Sequence, residues 1–206
     1  MSESYRTLAG RGEAVVVEKK SRFIGVAAPV DGVDEALLFL DGVRKAHPEA
    51  GHNVYAYVLG TKGENVRRSD DGEPSGTAGP PALAVLQGQG ITNAIVVVSR
   101  YWGGTLLGTG GLVRAYGQAA KEAVAAAVVK ELALHNVYTL HMPYQLLGKF
   151  QHELAKNEIE ILDTVYTDLI TLTVQTESKK SEAFLRLAAD LSNGAVEAVF
   201  IEQGYR

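Results

Sequence analysis

The chain contains no cysteine. Disulfides, thiolate metal sites and a cysteine nucleophile are therefore excluded, and the absence fits a reducing compartment. An excess of basic charge is missing as well: 20 lysines and arginines face 24 aspartates and glutamates, for a net charge of −4. That balance argues against a basic coat for non-specific nucleic-acid binding, while leaving room for one basic face. No apolar run approaches the roughly 20 residues that span a bilayer. The start, MSESYRTLAGRGE, lacks the basic segment and apolar block of a secretory signal. The expectation is a cytoplasmic protein with no membrane partner. Metal-ligand spacing is absent too, since His47, His52, His135, His141 and His152 are scattered. No metal and no cofactor are expected.

What is present is an ordinary globular composition, 46% hydrophobic and 21% charged over 206 residues, enough for one large domain or two small ones. Met1 to Gly12 reads as polar and loosely ordered. Ala14 to Val17 and Arg22 to Val30 read as two strands joined by the charged turn Glu18-Lys19-Lys20, which predicts a hairpin. Helical spacing follows at Val33, Leu37, Leu40 and Val43, with Asp31 or Asp34 as a cap and Pro48 as the stop. Asn53 to Leu59 alternates small residues with Tyr55, Tyr57 and Leu59, which is strand periodicity. The polar stretch TKGENVRRSDDGEPSGTAGPP then predicts one long loop, and Pro80-Pro81 a short helix.

The densest feature runs from Ile95 to Lys121. The strand Ile91 to Ser99 ends at Arg100, Tyr101 and Trp102. Five glycines follow (Gly103, Gly104, Gly108, Gly110, Gly111), and a helix is predicted from about Leu112 to Lys130. Its stripe of small residues implies close packing on a sheet. Arg114, Gln118 and Lys121 share another face, with Arg114 placed in the first turn.

Two standard nucleotide motifs fail here. A P-loop needs lysine where Thr109 stands, and a dinucleotide fingerprint needs glycine or alanine where Val113 stands. A glycine loop at a helix start, bracketed by Arg100 and Arg114, still offers backbone N–H groups to an anion. The alternative is that the glycines serve only turn geometry and packing. By alternation one of Tyr101 and Trp102 points inward, leaving the other free to stack. Asp70, Asp71 and Glu73 invite a divalent-ion reading. An EF-hand register would put Arg67 and Ala78 at outer ligand positions, so it is rejected. The carboxylates are expected to cap turns or to pair with Arg67 and Arg68. His52 is retained as a candidate base or phosphate contact.

Beyond Lys130 glycine thins out. The strands Ala133 to His141, Ile159 to Tyr166, Leu169 to Gln175 and Ala195 to Glu202 alternate with two helices. Those helices are Tyr144 to Lys156 and Lys179 to Leu191, the second capped by Ser178 or Thr176. The order β-α-β-β-α-β is that of a ferredoxin-like fold. The predicted domains are 1–131 and 132–206.

Four segments resemble the YigZ/IMPACT family: KSRFI (Lys20 to Ile24), AGHNVYAYVLG (Ala50 to Gly60), SDDGEPSGTAGPP (Ser69 to Pro81) and VSRYWGGTLLGTGGLVRAYGQAA (Val98 to Ala120). The resemblance implies an α+β protein. Its N-terminal part would be a ribosomal protein S5 domain 2-like α/β sandwich, related to domain four of elongation factor G. Its C-terminal part would be a ferredoxin-like domain similar to the last domain of that factor. Eukaryotic members regulate translation through an added N-terminal RWD domain, for which a first strand near Ala14 leaves no place. The family supplies no established catalytic residues.

The leading expectation is a non-enzymatic protein associated with RNA or the ribosome. Its contact surface would be Arg100, Trp102, Gly103, Gly104, Gly108, Gly110, Gly111, Arg114 and Lys121, with Arg22, Arg67, Arg68 and His52 outlying. The rivals are an enzyme acting on a phosphorylated small molecule or nucleotide, with a pocket closed by the polar loop, and a protein-interaction module built on Trp102.

Overall fold

A computed structural model describes residues 3–206. The chain forms two compact units, Met1–Glu131 and Leu132–Arg206, and its class is α+β.

In the first unit a five-stranded antiparallel sheet is built from β2 (Gly12–Glu18), β3 (Ser21–Pro29), β4 (His52–Leu59), β5 (Asn65–Ser69) and β6 (Ala94–Tyr101). Its spatial order is β2-β3-β6-β4-β5. The hairpin forms as predicted, with Lys19 and Lys20 both at positive φ in its turn. Alternation along β4 assigns its two faces. Val54, Ala56 and Val58 join Val96 and Val98 of β6 against α2 (Gly79–Gly88) and α3 (Thr109–Ala126). Tyr57 and Leu59 join Ile95 and Val97 against α1 (Val33–Ala46).

The small-residue stripe of α3 has a direct counterpart in the sheet. A Cβ on Gly25 would lie 2.4 Å from the Ala119 carbonyl oxygen. Only glycine in the strand, facing alanines in the helix, allows backbones to approach that closely.

Several expected boundaries differ. Within the segment expected to be loosely ordered, Met1 and Ser2 lie outside the described residues, but Ser4–Leu8 is a strand, β1. Its Leu8 is buried, and its Arg6 carbonyl accepts from the Thr92 N–H. The long polar loop contains β5, which takes up free backbone groups of β4 from Tyr55 to Leu59. Neither Asp31 nor Asp34 caps α1. Gly32 occupies that position, and Glu35 accepts the Asp31 N–H instead. The helix α3 begins three residues earlier than its apolar pattern, so Gly110 and Gly111 are helical and Arg114 falls in the second turn.

The second unit has β7 (Val129–Met142, entering from the first unit), α4 (Tyr144–Lys156), β8 (Glu160–Tyr166), β9 (Ile170–Glu177), α5 (Ser181–Ser192) and β10 (Ala198–Tyr205). Its strands run antiparallel in the order β10-β7-β9-β8, the ferredoxin-like arrangement. Phe150 and Leu154 of α4, with Phe184 and Ala188 of α5, cover one face over Leu140, Leu172 and Val174. Neither expected residue caps α5. A 3-10 turn (Ser178–Lys180) leads into it, and Lys180 is at the cap. Charge divides unevenly: the first unit has 14 basic and 14 acidic residues, the second 6 and 10. The entire net negative charge therefore sits on the ferredoxin-like unit.

Candidate functional site

One end of the first sheet gathers the motif segments. There the β2–β3 turn, the chain entering β4, the loop after β5 and the loop after β6 lie together. In register, His52 of β4 and Phe23 of β3 both flank Arg100 of β6.

Inside this end is a buried polar cluster. Glu73 is 8% exposed and Arg100 7%. A guanidinium N–H of Arg100 donates to Glu73 Oε1 at 2.6 Å, and the Tyr116 hydroxyl donates to the same oxygen at 2.7 Å. The Arg100 guanidinium also lies 5.6 Å from the Phe23 ring centroid, while its Nε has no hydrogen-bond partner among the described residues. Burial, and then the Glu73 carboxylate, push the Tyr116 phenol well above its ordinary range, so it stays a donor. His52 clasps the same loop from outside. Its Nδ1 is 2.8 Å from the Asp71 carbonyl oxygen and its Nε2 3.9 Å from Glu73 Oε1.

The three acidic residues of the polar loop thus point three ways. Asp70 accepts the N–H groups of Gly76, Ala78 and Gly79 at 2.8 to 3.0 Å. It caps α2 from eight residues upstream, because Ala78 at the cap position has no side chain to do so. Burial raises its pKa, but those three donors and nearby Arg68 prevail and hold the carboxyl below 3.8. Asp71 accepts from the Asn53 N–H at 2.6 Å and pairs with Arg44. Capping is therefore the role of one carboxylate. The partners of the other two are Arg44 and Arg100, not the neighbouring Arg67 and Arg68, because the loop turns back over the sheet instead of along β5.

The loop from Trp102 to Gly108 is the opposite case. Of the two aromatics, Tyr101 turns in beside α1, its hydroxyl 3.0 Å from His47 Nδ1, and Trp102 is 65% exposed. Leu106 is 83% exposed. Gly103 is pressed on the β2–β3 turn: its N–H donates to Ser21 Oγ at 3.1 Å, and a Cβ there would be 2.1 Å from the Lys20 carbonyl carbon. Gly104 and Gly108 both take positive φ with open space around them.

The segments that border this loop carry cations. Lys19 and Lys20 form the turn beneath Gly103, and the Arg22 guanidinium rests 5.7 Å from the Tyr101 ring centroid. Arg114 reaches back to within 3.6 Å of where a Gly110 Cβ would be. A shallow groove lined by Val16, Glu18, Gly111, Arg114, Ala115 and Gln118 runs beside it, with Glu18 its one acid. Lys121 is exposed two turns along the same helix face.

Not every candidate belongs to this surface. Arg100 faces inward, committed to Glu73. Arg68 is in register with Val96 through Ala56, six residues before Trp102, which is roughly 20 Å along the strand. Arg67 is its neighbour on that edge strand. His52 serves the polar loop. Reasoning from sequence missed Lys19 and Lys20 as surface partners and Glu73 and Tyr116 as partners of Arg100. The available signal was that each lies within or beside one of the four motif segments.

Among the described residues no helix is long and apolar enough to cross a membrane. Comparison with known proteins then matches residues 19–124 to the Impact N-terminal domain and residues 140–195 to a domain of unknown function (DUF1949). The chain is similar to the IMPACT family member YvyE of Bacillus subtilis, with 37% identity over 94% of this chain and 89% of that protein. It is similar to the IMPACT family member YigZ of Escherichia coli, with 39% identity over 90% of this chain and 92% of that one. A crystal structure described as that of a hypothetical protein aligns with a TM-score of 0.63 and 37% identity, covering 98% of this chain and 99% of its own.

Proposed function

The chain belongs to the YigZ/IMPACT family, and with that premise we propose that it is an RNA- or ribosome-associated protein that holds phosphate at the open end of the first sheet. One observation carries this reading: the segments that border an exposed glycine loop at the start of α3 carry cations, with the Lys19-Lys20 turn packed by its backbone on Gly103, Arg22 over Tyr101 on the α1 side and Arg114 on the α3 side. Backbone N–H groups at a helix start and clustered cations both favour a polyanion. Lys121 extends the surface along α3, and Arg67 and Arg68 lie apart from it. Arg100 acts from beneath, fixing the polar loop through Glu73.

The acidic second unit supports placing the contact on the first unit, because a net charge of that sign repels phosphate. The rival enzymatic reading receives less support. The polar loop closes over the packed side chains of Glu73, Arg100 and Tyr116, and its carboxylates diverge.

The test is binding of ribosomal subunits and of structured RNA at two salt concentrations. Affinity should fall steeply as salt rises. Replacing Lys20, Arg22 and Arg114 together by alanine should lower affinity and flatten that salt dependence. Absence of binding at low salt would sink the reading.

A further inference from the structure

The strongest feature left unexplained by phosphate binding is Trp102. It is the chain's single tryptophan, and a large indole left 65% in solvent forgoes the burial that normally places it in a core. It is held there. Gly103, the next residue, is fixed to Ser21 by a hydrogen bond and to Lys20 by direct backbone contact, so the root of the indole is anchored. Of the two leucines of the loop, Leu107 is buried in the core, and Leu106 is exposed like the indole.

Phosphate contacts alone have no use for this arrangement. An aromatic face is useful to a nucleic acid only where a base offers its own face. In a duplex both faces of each base are covered by neighbours, whereas bases in loops, bulges and single strands are free to stack.

We infer that Trp102 stacks on an unpaired RNA base while Lys19, Lys20, Arg22 and Arg114 hold the flanking phosphates. The ligand class is therefore single-stranded or looped RNA, not duplex. The inference rests on the RNA reading above and adds its base-facing element. Charge complementarity favours a polyanion over a protein here. The apolar part of the surface is two side chains, and the segments that border the loop carry Lys19, Lys20, Arg22 and Arg114, with Glu18 as the acid in the groove beside Arg114.

The full-length chain supplies its own probe, because all of its tryptophan fluorescence arises from Trp102. A single-stranded RNA of ten nucleotides and the same strand annealed to its complement are titrated at low salt, with anisotropy of a labelled RNA followed alongside. Single strands should quench the tryptophan and bind at least about tenfold tighter than the duplex. Trp102→Ala should weaken single-strand binding by about 5- to 150-fold, the range measured for removing one stacked base contact, and leave duplex binding unchanged. Trp102→Phe should retain most of the affinity. Circular dichroism of both variants should match the parent, since the side chain lies outside the core. If both RNAs bind equally and the indole stays silent, stacking is overturned while phosphate binding stands. If neither RNA binds, both readings fall. Capture of a protein from nuclease-treated lysate in a Trp102-dependent way, without quenching by RNA, would overturn the inference in favour of a protein partner.

Discussion

Two glycine-rich loops leave the same end of the first sheet and meet opposite fates. The loop after β5 carries three carboxylates, all of them consumed: Asp70 by backbone N–H groups of α2, Asp71 by β4 and Arg44, Glu73 by Arg100 and Tyr116. The loop after β6 leaves its indole and Leu106 in solvent and buries Leu107. Polar content therefore does not predict exposure. What decides is whether each polar group finds a partner inside, since an unpaired buried group costs more than its hydrogen bond returns. The closed loop is specified by the bonds of its three carboxylates, and the open one by the backbone contact at Gly103 and the buried Leu107 side chain.

Breaking the closed loop should have the largest effect on stability. Glu73→Gln removes the charge paired with a buried guanidinium and should destabilise the protein by about 3–5 kcal/mol, read as the change in denaturant midpoint. Gly103→Ala tests the anchor of the open loop. Its methyl group would meet backbone, which cannot rotate away, so a loss of about 1–3 kcal/mol is expected.

Asp70→Ala should cost about 1–2 kcal/mol, as for loss of a helix cap. Its pH dependence sharpens the comparison. A carboxyl held below 3.8 in the folded state contributes stability that is complete above that value and is lost as pH falls through the lowered one. Asp70→Asn should therefore make acid unfolding below about pH 4 less steep than in the parent. The smallest stability effect belongs to Trp102→Ala, within about 0.5 kcal/mol in thermal unfolding. A large loss there would show that the open loop is packed and erase the contrast.

Periodicity made much of the fold legible. The alternation of β4 named its two faces correctly because a strand between two helical layers must satisfy both at once. The ferredoxin-like order was legible for a similar reason: each strand and helix there has one apolar face. The misplaced start of α3 shows the limit. Gly110 and Gly111 are helical, although their composition argues the other way. The strand β5 was hidden because its NVRRS sequence has no buried face, and it exists only because β4 offers an edge.

The sequence by itself determined the family, the class of fold and the segments that matter, because motifs and periodicity are local and survive without coordinates. Which arginine faces phosphate and which faces a carboxylate was decided only in three dimensions. Arg100 and Arg114 bracket the same glycines along the chain, but β6 aims Arg100 inward beneath Glu73, and α3 leaves Arg114 outside. Proximity in sequence cannot supply that distinction, since it depends on which face of a strand or helix the packing covers.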